Sequence, residues 1–267
     1  KLWNRTTRFR SIPNIIEEIK LLRERYGVKE IEFWDDSFTV KRKWTNELCD
    51  AMIAERLNVP WWCNTRADLI DEEIVLRMKR AGCTSIHIGV ETGSNETLKY
   101  LNRKMTLDDI VKASEMLDRV KMNWFAYFMY GFPFEKVEDM LQSRDLMHKL
   151  SAGYFTLSIF NPYPGTELYD ECKKLNLIPE NPDWSRFSHQ SPENCFNVNM
   201  STEEFHKLVA KIVEECDQIN SSTAKRLKRV MAKRSFYMRN PLAFLALVRD
   251  ALQRSSARKK SHKEAAR

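Results

Sequence analysis

The chain has no hydrophobic run long enough to cross a membrane and no signal-peptide pattern at its start. A spanning helix needs roughly 18 to 20 consecutive apolar residues, and a secretory leader needs an apolar stretch behind a basic start. The sequence opens at Lys1 without a methionine, which we interpret as a fragment boundary. A composition of 43% hydrophobic and 30% charged residues is typical of a globular domain, and we expect a protein of the cytoplasm.

Closely spaced cysteines are absent as well. No two of the six cysteines lie closer than fourteen positions apart, which excludes a zinc knuckle or a tight cluster motif within the chain. Without a secretory leader, scattered cysteines are typical of buried thiols in a reducing compartment. The five histidines offer no evident acid–base pair, and His87 lies in mid-strand, where a core position is expected.

Negative charge is scarce in only one part of the chain. Residues 221–267 hold 14 Lys or Arg and 2 Asp or Glu, whereas the preceding 220 residues hold 30 and 35. The net charge of +7 therefore belongs to the tail, and no nucleic-acid partner is expected. The basic stretch 225–239 beside the apolar stretch 242–248 predicts one of two things: a helix packed on the main domain with a solvated basic face, or peripheral contact with an anionic membrane.

Strand and helix patterns alternate over the first two thirds of the chain. Apolar strands begin near residues 28, 59, 84, 123 and 153, and a helical pattern separates each from the next. This alternation requires crossover connections and hence parallel strands, so the fold class is α/β. Periodicity alone does not separate a barrel from a doubly wound sheet.

The alternation stops after Leu177. The Pro- and Asn-rich stretch 176–200 predicts a long loop, and further helices are predicted from Ser201 onward, over about 222–236 and over 241–253. We divide the chain into an α/β domain over 1–178, a loop and helical extension over 179–254, and a basic disordered tail over 255–267.

Polar residues follow the strands. In a parallel α/β fold the carboxyl ends of the strands carry the functional groups. The predicted strand ends supply acids, an amide, an arginine and a Gly-Pro turn: Asp35, Asp36 and Ser37, then Asn64 and Arg66, then Glu91, then Gly131 with Glu135, and last Asn161.

The sequence motifs at these strand ends resemble those of one family. Six short segments occur in that family's order, each after a predicted strand or at the start of a helix. The resemblance is to radical S-adenosylmethionine (SAM) enzymes, especially the branch with an upstream cobalamin-binding domain, typified by the anaerobic magnesium-protoporphyrin cyclase. The segments are 31–39 (IEFWDDSFT), 63–68 (CNTRAD), 89–94 (GVETGS), 101–106 (LNRKMT), 131–135 (GFPFE) and 162–166 (PYPGT).

The resemblance implies a partial (β/α)6 TIM-like barrel that lacks its first strand here, followed by a C-terminal helical region. It implies that SAM binds beside a [4Fe-4S] cluster and is cleaved reductively to a 5′-deoxyadenosyl radical, for methyl transfer or cyclisation. A small-molecule substrate, an electron donor such as ferredoxin or flavodoxin, and cobalamin on an upstream domain complete the expectation.

The family's C-x-x-x-C-x-x-C motif is missing. It precedes the first helix, so its cysteines are expected upstream of Lys1, and no metal ligand is expected among the residues present. The chain by itself should not assemble the cluster or catalyse the reaction.

Carried over by position, the resemblance assigns the SAM contacts. Asp35, Asp36 and Ser37 would approach the methionine moiety, although the common Gly-Gly-Glu is absent there. Arg66 and Arg103 would meet the carboxylate and Glu91 the amino or ribose groups, since a guanidinium pairs with a carboxylate and a carboxylate accepts from ammonium or hydroxyl groups. The turn from Gly131 to Pro133 and the backbone around Asn161 would cradle the adenine. Phe134 and Lys136 depart from the commoner Gly and Thr.

Each assignment has a structural alternative. Asp35 or Asp36 would suit the cap of the next turn, Arg66 would form an ion pair with Asp68, and Arg103 would lie on the surface. Two functional alternatives also stay open at this point: an unrelated parallel α/β aldolase or isomerase, and a non-catalytic paralogue that serves as an interaction module.

Overall fold

The structure of the protein is a computed structural model that describes residues 7–188 and 194–249. Within those ranges five strands alternate with helices, and further helices follow. The strands are β1 Ile31–Phe33, β2 Trp61–Thr65, β3 Cys83–Glu91, β4 Asn123–Tyr130 and β5 Tyr154–Ile159. The helices are α1 Ile12–Tyr26, α2 Arg42–Ala54, α3 Glu72–Arg80, α4 Asn95–Tyr100, α5 Leu107–Arg119, α6 Val137–Lys149, α7 Glu167–Lys174, α8 Thr202–Ser221, α9 Thr223–Ala232 and α10 Arg234–Arg239. A last described helix covers 241–249.

The strands form one sheet in the order β1-β2-β3-β4-β5, and every neighbouring pair is parallel. This confirms the α/β class, and the curved sheet with its outer helices is the partial barrel that the resemblance implies. β1 is shorter than predicted, and the helix predicted over 222–236 is divided at Lys233. The predicted tail 255–267 and the end of the helix predicted over 241–253 lie outside the described residues.

Local signals start and stop the helices as the sequence indicates. Thr106 and Asp109 form a reciprocal capping box on α5, and Ser201 and Glu204 form another on α8. The side chain of Asp71 accepts a hydrogen bond from the Ile74 N–H at the start of α3. Gly27 ends α1 at a φ of +64°, a left-handed conformation that favours glycine.

The two faces of the sheet differ in burial. On β2 the outward side chains Trp61, Cys63 and Thr65 are buried beneath the helices, whereas Trp62 and Asn64 on the inner face stay half-exposed. β4 repeats the pattern along its length. The core therefore lies between the sheet and its helices, and the inner face of the partial barrel remains open to solvent.

The C-terminal helices pack on this domain. Asn220 of α8 donates to the Phe155 carbonyl and accepts from the Phe155 N–H of β5, at 2.8 and 2.9 Å, so its amide bonds the last strand in the order as a neighbouring strand would. Phe205 of α8 is fully buried against Gly131. The boundary at residue 178 stays a prediction.

Three of the four cations of α9 point at the barrel, and Arg226 is exposed. Lys225 donates to the Ala152 carbonyl, Lys228 to Asp118 and the Ser151 carbonyl, and Arg229 to the Gly153 carbonyl. Lys233 pairs with Glu30 just before β1. The predicted packing on the barrel is therefore present, and these side chains face the barrel rather than solvent. Membrane contact stays a prediction; no described helix is long and apolar enough to span a bilayer.

We expect Asn220→Ala to lower the free energy of unfolding by about 1–3 kcal/mol, because it leaves the buried N–H of Phe155 without its partner and the Phe155 carbonyl with only the weak Cys216 thiol as donor. Urea denaturation of the 267-residue chain measures this. Gln218→Ala, on the exposed side of the same helix, is the control and should change the free energy of unfolding by less than about 0.5 kcal/mol. Equal effects in the two variants would contradict the role given to Asn220.

Candidate functional site

The parallel strands all end at one edge of the sheet, and a cleft of about 360 Å³ lies there. It combines an ion pair, an amide and an apolar wall. Its lining residues are Glu91, Leu101, Arg103, Met129, Phe132, Phe160, Asn161, Tyr163, Thr166 and Leu168. The structure thus brings together Glu91, Arg103 and Asn161 from the sequence-based set. Of the turn after β4 only Phe132 lines the cleft, and the candidates Gly131 and Pro133 do not.

Glu91 has an unusual backbone. Its φ is +68°, and the Thr92 N–H bonds the Val90 carbonyl at 2.9 Å, which makes Glu91 the centre of a classic γ-turn. The pairing of β3 with β4 shifts register between Gly89 and Glu91. Strain of this kind costs about 1–3 kcal/mol and concentrates at functional sites.

Gly89 makes room for the carboxylate of Glu91. A Cβ at Gly89 would lie 2.8 Å from Glu91 Oε1, so a larger residue would displace that oxygen. The turn and the neighbouring glycine together hold the Glu91 carboxylate at the edge of the cleft.

Arg103 neutralises this carboxylate. It donates a hydrogen bond to Glu91 Oε1, and the two side chains are 40% and 14% exposed. Burial raises the pKa of Glu91, and the charge and hydrogen bond of Arg103 act against that rise. Arg103 is exposed, as its structural alternative predicted, and it also lines the cleft.

Asn161 is buried, and neither its amide nitrogen nor its amide oxygen has a hydrogen-bond partner among the described residues. An unpartnered buried polar group costs about 1–3 kcal/mol. Because the side chain lines the cleft, a ligand that offers one donor and one acceptor would satisfy it.

The turn after β4 is held from two sides. Glu135 accepts from the N–H groups of Gly131 and Phe132, at 2.6 and 3.3 Å. Asn197 donates to the carbonyls of Phe132 and Glu135 at 2.8 and 2.7 Å, and the Val198 N–H donates to the Pro133 carbonyl at 2.8 Å. The sequence predicted only a loop over 176–200, and the asparagines at 197 and 199 were the one sequence feature that could have indicated this contact with the turn.

The remaining candidates lie outside the cleft lining. Asp35 and Asp36 are exposed after β1. Partial desolvation of the Asp35 carboxyl, and secondarily the charge of Asp36, raise the pKa of Asp35. Ser37 Oγ is buried and has no partner among the described residues. Arg66 binds Asp68 through two hydrogen bonds of 2.9 and 2.6 Å, which is the ion pair named as its structural alternative. The SAM-binding role of these residues stays a prediction.

Metal ligands are not assembled in the part of the chain that the structure describes. No group of three His, Cys, Asp or Glu side chains is placed to hold a metal there. Five cysteines are buried and Cys195 is half-buried. Burial raises the pKa of Cys49 and Cys63, which keeps them as thiols and poor ligands. These residues do not fit a [4Fe-4S] cluster.

Comparison with known proteins identifies the family. The model of the radical SAM superfamily matches residues 2–147, more than half of the chain. The chain belongs to the radical SAM superfamily. This removes the alternative of an unrelated aldolase or isomerase, and it agrees with the resemblance carried by the six segments.

Relatives and solved structures agree with this membership. An uncharacterized methyltransferase of Pyrococcus horikoshii is 28% identical over 75% of this chain and 43% of the relative. The anaerobic magnesium-protoporphyrin IX monomethyl ester cyclase of Rubrivivax gelatinosus is 25% identical over 64% of this chain and 31% of the relative. The structure of the radical SAM methyltransferase TsrM from Kitasatospora setae, with cobalamin and [4Fe-4S] cluster bound, gives a TM-score of 0.56 at 18% identity, over 62% of this chain and 34% of that one. The chain thus spans less than half the length of these relatives.

Glu135 gives the site a pH signature. Burial raises its pKa to about 8 despite its two N–H partners, from an ordinary value of 4.5. A folded-state pKa above the unfolded value means that the folded protein keeps the proton, so this group makes stability fall as the pH rises from about 4.5 to 8.

We expect Glu135→Gln to lose less stability than the parent over that pH range, with the gap growing by at most ~1.4 kcal/mol per pH unit. Urea unfolding at several pH values measures the gap. Glu138→Gln, exposed at the start of α6, should follow the parent. A constant gap between the Glu135→Gln variant and the parent would refute the raised pKa.

Proposed function

We propose that the whole protein is a radical SAM enzyme that cleaves SAM reductively and acts on a small-molecule substrate by methyl transfer or cyclisation. The observation that carries the proposal is the cleft at the strand ends. It brings together the carboxylate of Glu91, whose backbone is strained, the guanidinium of Arg103 and the unpartnered amide of Asn161. Family membership and the named methyltransferase and cyclase relatives support it.

The cleft residues fit the chemical groups of SAM. Glu91 would accept hydrogen bonds from the amino group or the ribose hydroxyls, and Arg103 would bind the carboxylate. The amide of Asn161 offers a donor and an acceptor, which suits the edge of an adenine ring. Phe132 and Phe160 supply apolar wall beside it.

Residues beyond the cleft would complete the methionine end. We propose that Asp35, Asp36 and Ser37 approach that moiety, and that Arg66 reaches the carboxylate. For Arg66 this requires release of Asp68, at a modest cost because the pair is partly exposed.

The cluster must be held by residues other than those described, and in the whole protein it would supply the electron that cleaves SAM. We propose cysteines upstream of Lys1 as its ligands, and ferredoxin or flavodoxin as the electron donor. Cobalamin dependence is also a proposal, supported by the cobalamin bound in TsrM. Membrane contact through the basic C-terminal region is a separate proposal that catalysis does not require.

SAM binding tests the cleft directly. We expect Asn161→Ala to weaken the binding of S-adenosylhomocysteine to the 267-residue chain about fivefold, and Glu91→Gln about tenfold or more, because a neutral and a charge-assisted hydrogen bond are lost. Isothermal titration calorimetry measures both. Glu96→Gln, exposed on the neighbouring α4, is the matched control. Unchanged affinity in both cleft variants would place the nucleoside elsewhere.

Catalysis is tested on the whole protein. After anaerobic reconstitution with iron and sulfide and addition of a reductant, we expect 5′-deoxyadenosine to form from SAM, detected by chromatography and mass spectrometry. Glu91→Gln should lower its rate at sub-saturating SAM. A protein that binds S-adenosylhomocysteine but forms no deoxyadenosine would instead be the non-catalytic paralogue.

A further inference from the structure

The inner face of the partial barrel carries an ordered row of rings. Trp62, His87, Phe125 and Tyr154 come from the four neighbouring strands β2 to β5, and we call them the ring ladder. Trp62 stacks on His87 at 4.1 Å and 20°, His87 on Phe125 at 4.4 Å and 8°, and Phe125 lies 5.3 Å from Tyr154 at 43°. The guanidinium of Arg229 lies 5.3 Å from the Tyr154 ring and extends the row into α9.

The ring ladder lies below the cleft. Two residues further along each strand, about 6.6 Å toward the carboxyl ends, the inner positions are Asn64, Gly89, Tyr127 and Thr156. The next inner position on β4 is Met129, which lines the cleft. Asn64, Tyr127 and Thr156 are half-exposed, so solvent reaches the space between the ladder and the cleft. We call this space the chamber.

Tyr127 and His87 form a hydrogen-bonded pair in the chamber. His87 Nδ1 lies 2.6 Å from the Tyr127 hydroxyl. Burial, together with Lys233, lowers the pKa of His87 to about 3, so the ring is neutral at physiological pH. Burial and the charge of Glu32 raise the pKa of Tyr127, so its phenol keeps its proton. Glu32 belongs to β1, which is not a neighbour of β4 in the sheet, and its charge nevertheless acts on Tyr127.

Positive charge is kept out of the chamber. The five strands contain no Lys or Arg, and Glu32 and Glu91 are their only acids. Among the described residues, the cations at both ends of this space already have partners: Arg229 and Lys233 bind the Gly153 carbonyl and Glu30 at the lower end of the barrel, and Arg103 binds Glu91 in the cleft above. An anionic group in the chamber would meet carboxylates and neutral rings, and the described cations that border the space are already engaged by other partners, so its desolvation would be poorly balanced.

We propose that the chamber binds the reacting part of the substrate, that this part is neutral or cationic with an apolar body, and that Tyr127 selects it through a hydrogen bond while Glu32 favours a cation. The inference rests on the proposed function, which places SAM directly above. His87 is a positioning residue that holds the Tyr127 hydroxyl. We expected a core position for His87, and the residue is indeed buried, on the inner face of the sheet between Trp62 and Phe125.

Three matched probes test the charge preference: benzyl alcohol, benzylamine and benzoate, titrated into the 267-residue chain labelled with ¹³C at the histidine Cε1 positions. The His87 signal, identified by its loss in His87→Gln, reports binding. We expect saturable shifts with benzyl alcohol and benzylamine and at least tenfold weaker binding of benzoate. Benzoate binding as tight as that of benzyl alcohol, or no saturable shift with the other two probes, would overturn the proposal.

Two variants test the residue roles. Tyr127→Phe should weaken benzyl alcohol about fivefold, while Tyr26→Phe, on the exposed surface of α1, should have no effect. Glu32→Gln should weaken benzylamine selectively. A Tyr127→Phe variant with parent affinity removes its role. S-adenosylhomocysteine affinity, measured in parallel, should stay unchanged in these variants. Probe binding without deoxyadenosine formation would contradict only the proposed function. Deoxyadenosine formation without probe binding would contradict only the proposed role of the chamber.

Discussion

The five strands run in one direction, so each leaves the sheet at the same edge, and the loops that carry the candidate ligand contacts begin there. Parallel pairing also places helices over the outer face and buries it. The inner face is not covered by these helices, and Trp62, His87 and Tyr127 occur there. Site, core and chamber are thus three consequences of a single strand direction.

Several features of the site lower the stability of the folded protein. The left-handed backbone of Glu91, the unpartnered amide of Asn161 and the buried carboxylate of Glu135 each oppose folding, the first two by about 1–3 kcal/mol. The sheet, its helices and α8 offset this. Phe205 of α8 fills the space beside Gly131, so the turn is packed on the side where this residue has no side chain. A ligand that satisfied Asn161 would recover part of the cost on binding.

Sequence reasoning reached the elements whose signals are local. Apolar runs located the strands, and Thr106 with Asp109 and Ser201 with Glu204 marked helix starts, because a cap depends on residues three positions apart. Glu91, Arg103 and Asn161 could be identified because each lies at or near a characteristic sequence motif that follows a strand or precedes a helix. Their arrangement in one cleft follows from the parallel sheet.

What sequence reasoning missed depends on contacts between distant residues. Asn197 meets the carbonyls of Phe132 and Glu135 only after the loop folds back over more than sixty positions. His87 and Ile88 look equivalent in a strand, and only the pairing of β3 with its neighbours decides which one faces the chamber. The γ-turn at Glu91 has no composition signal, because a left-handed glutamate is held by its surroundings.

The uneven charge of the chain has a structural reason in this arrangement. Cations bind backbone carbonyls at the lower end of the barrel: Lys79 of the main domain donates to the Val120 and Lys121 carbonyls just before β4, and the C-terminal part supplies further cations. α9 provides them from outside, where Lys225, Lys228 and Arg229 bind carbonyls of residues 151–153 just before β5. Burial lowers the pKa of Lys225 to about 8, the expected cost of bringing an ammonium group into that contact. These basic residues of the C-terminal part therefore bind the lower end of the barrel. A separate partner is not needed to explain their presence.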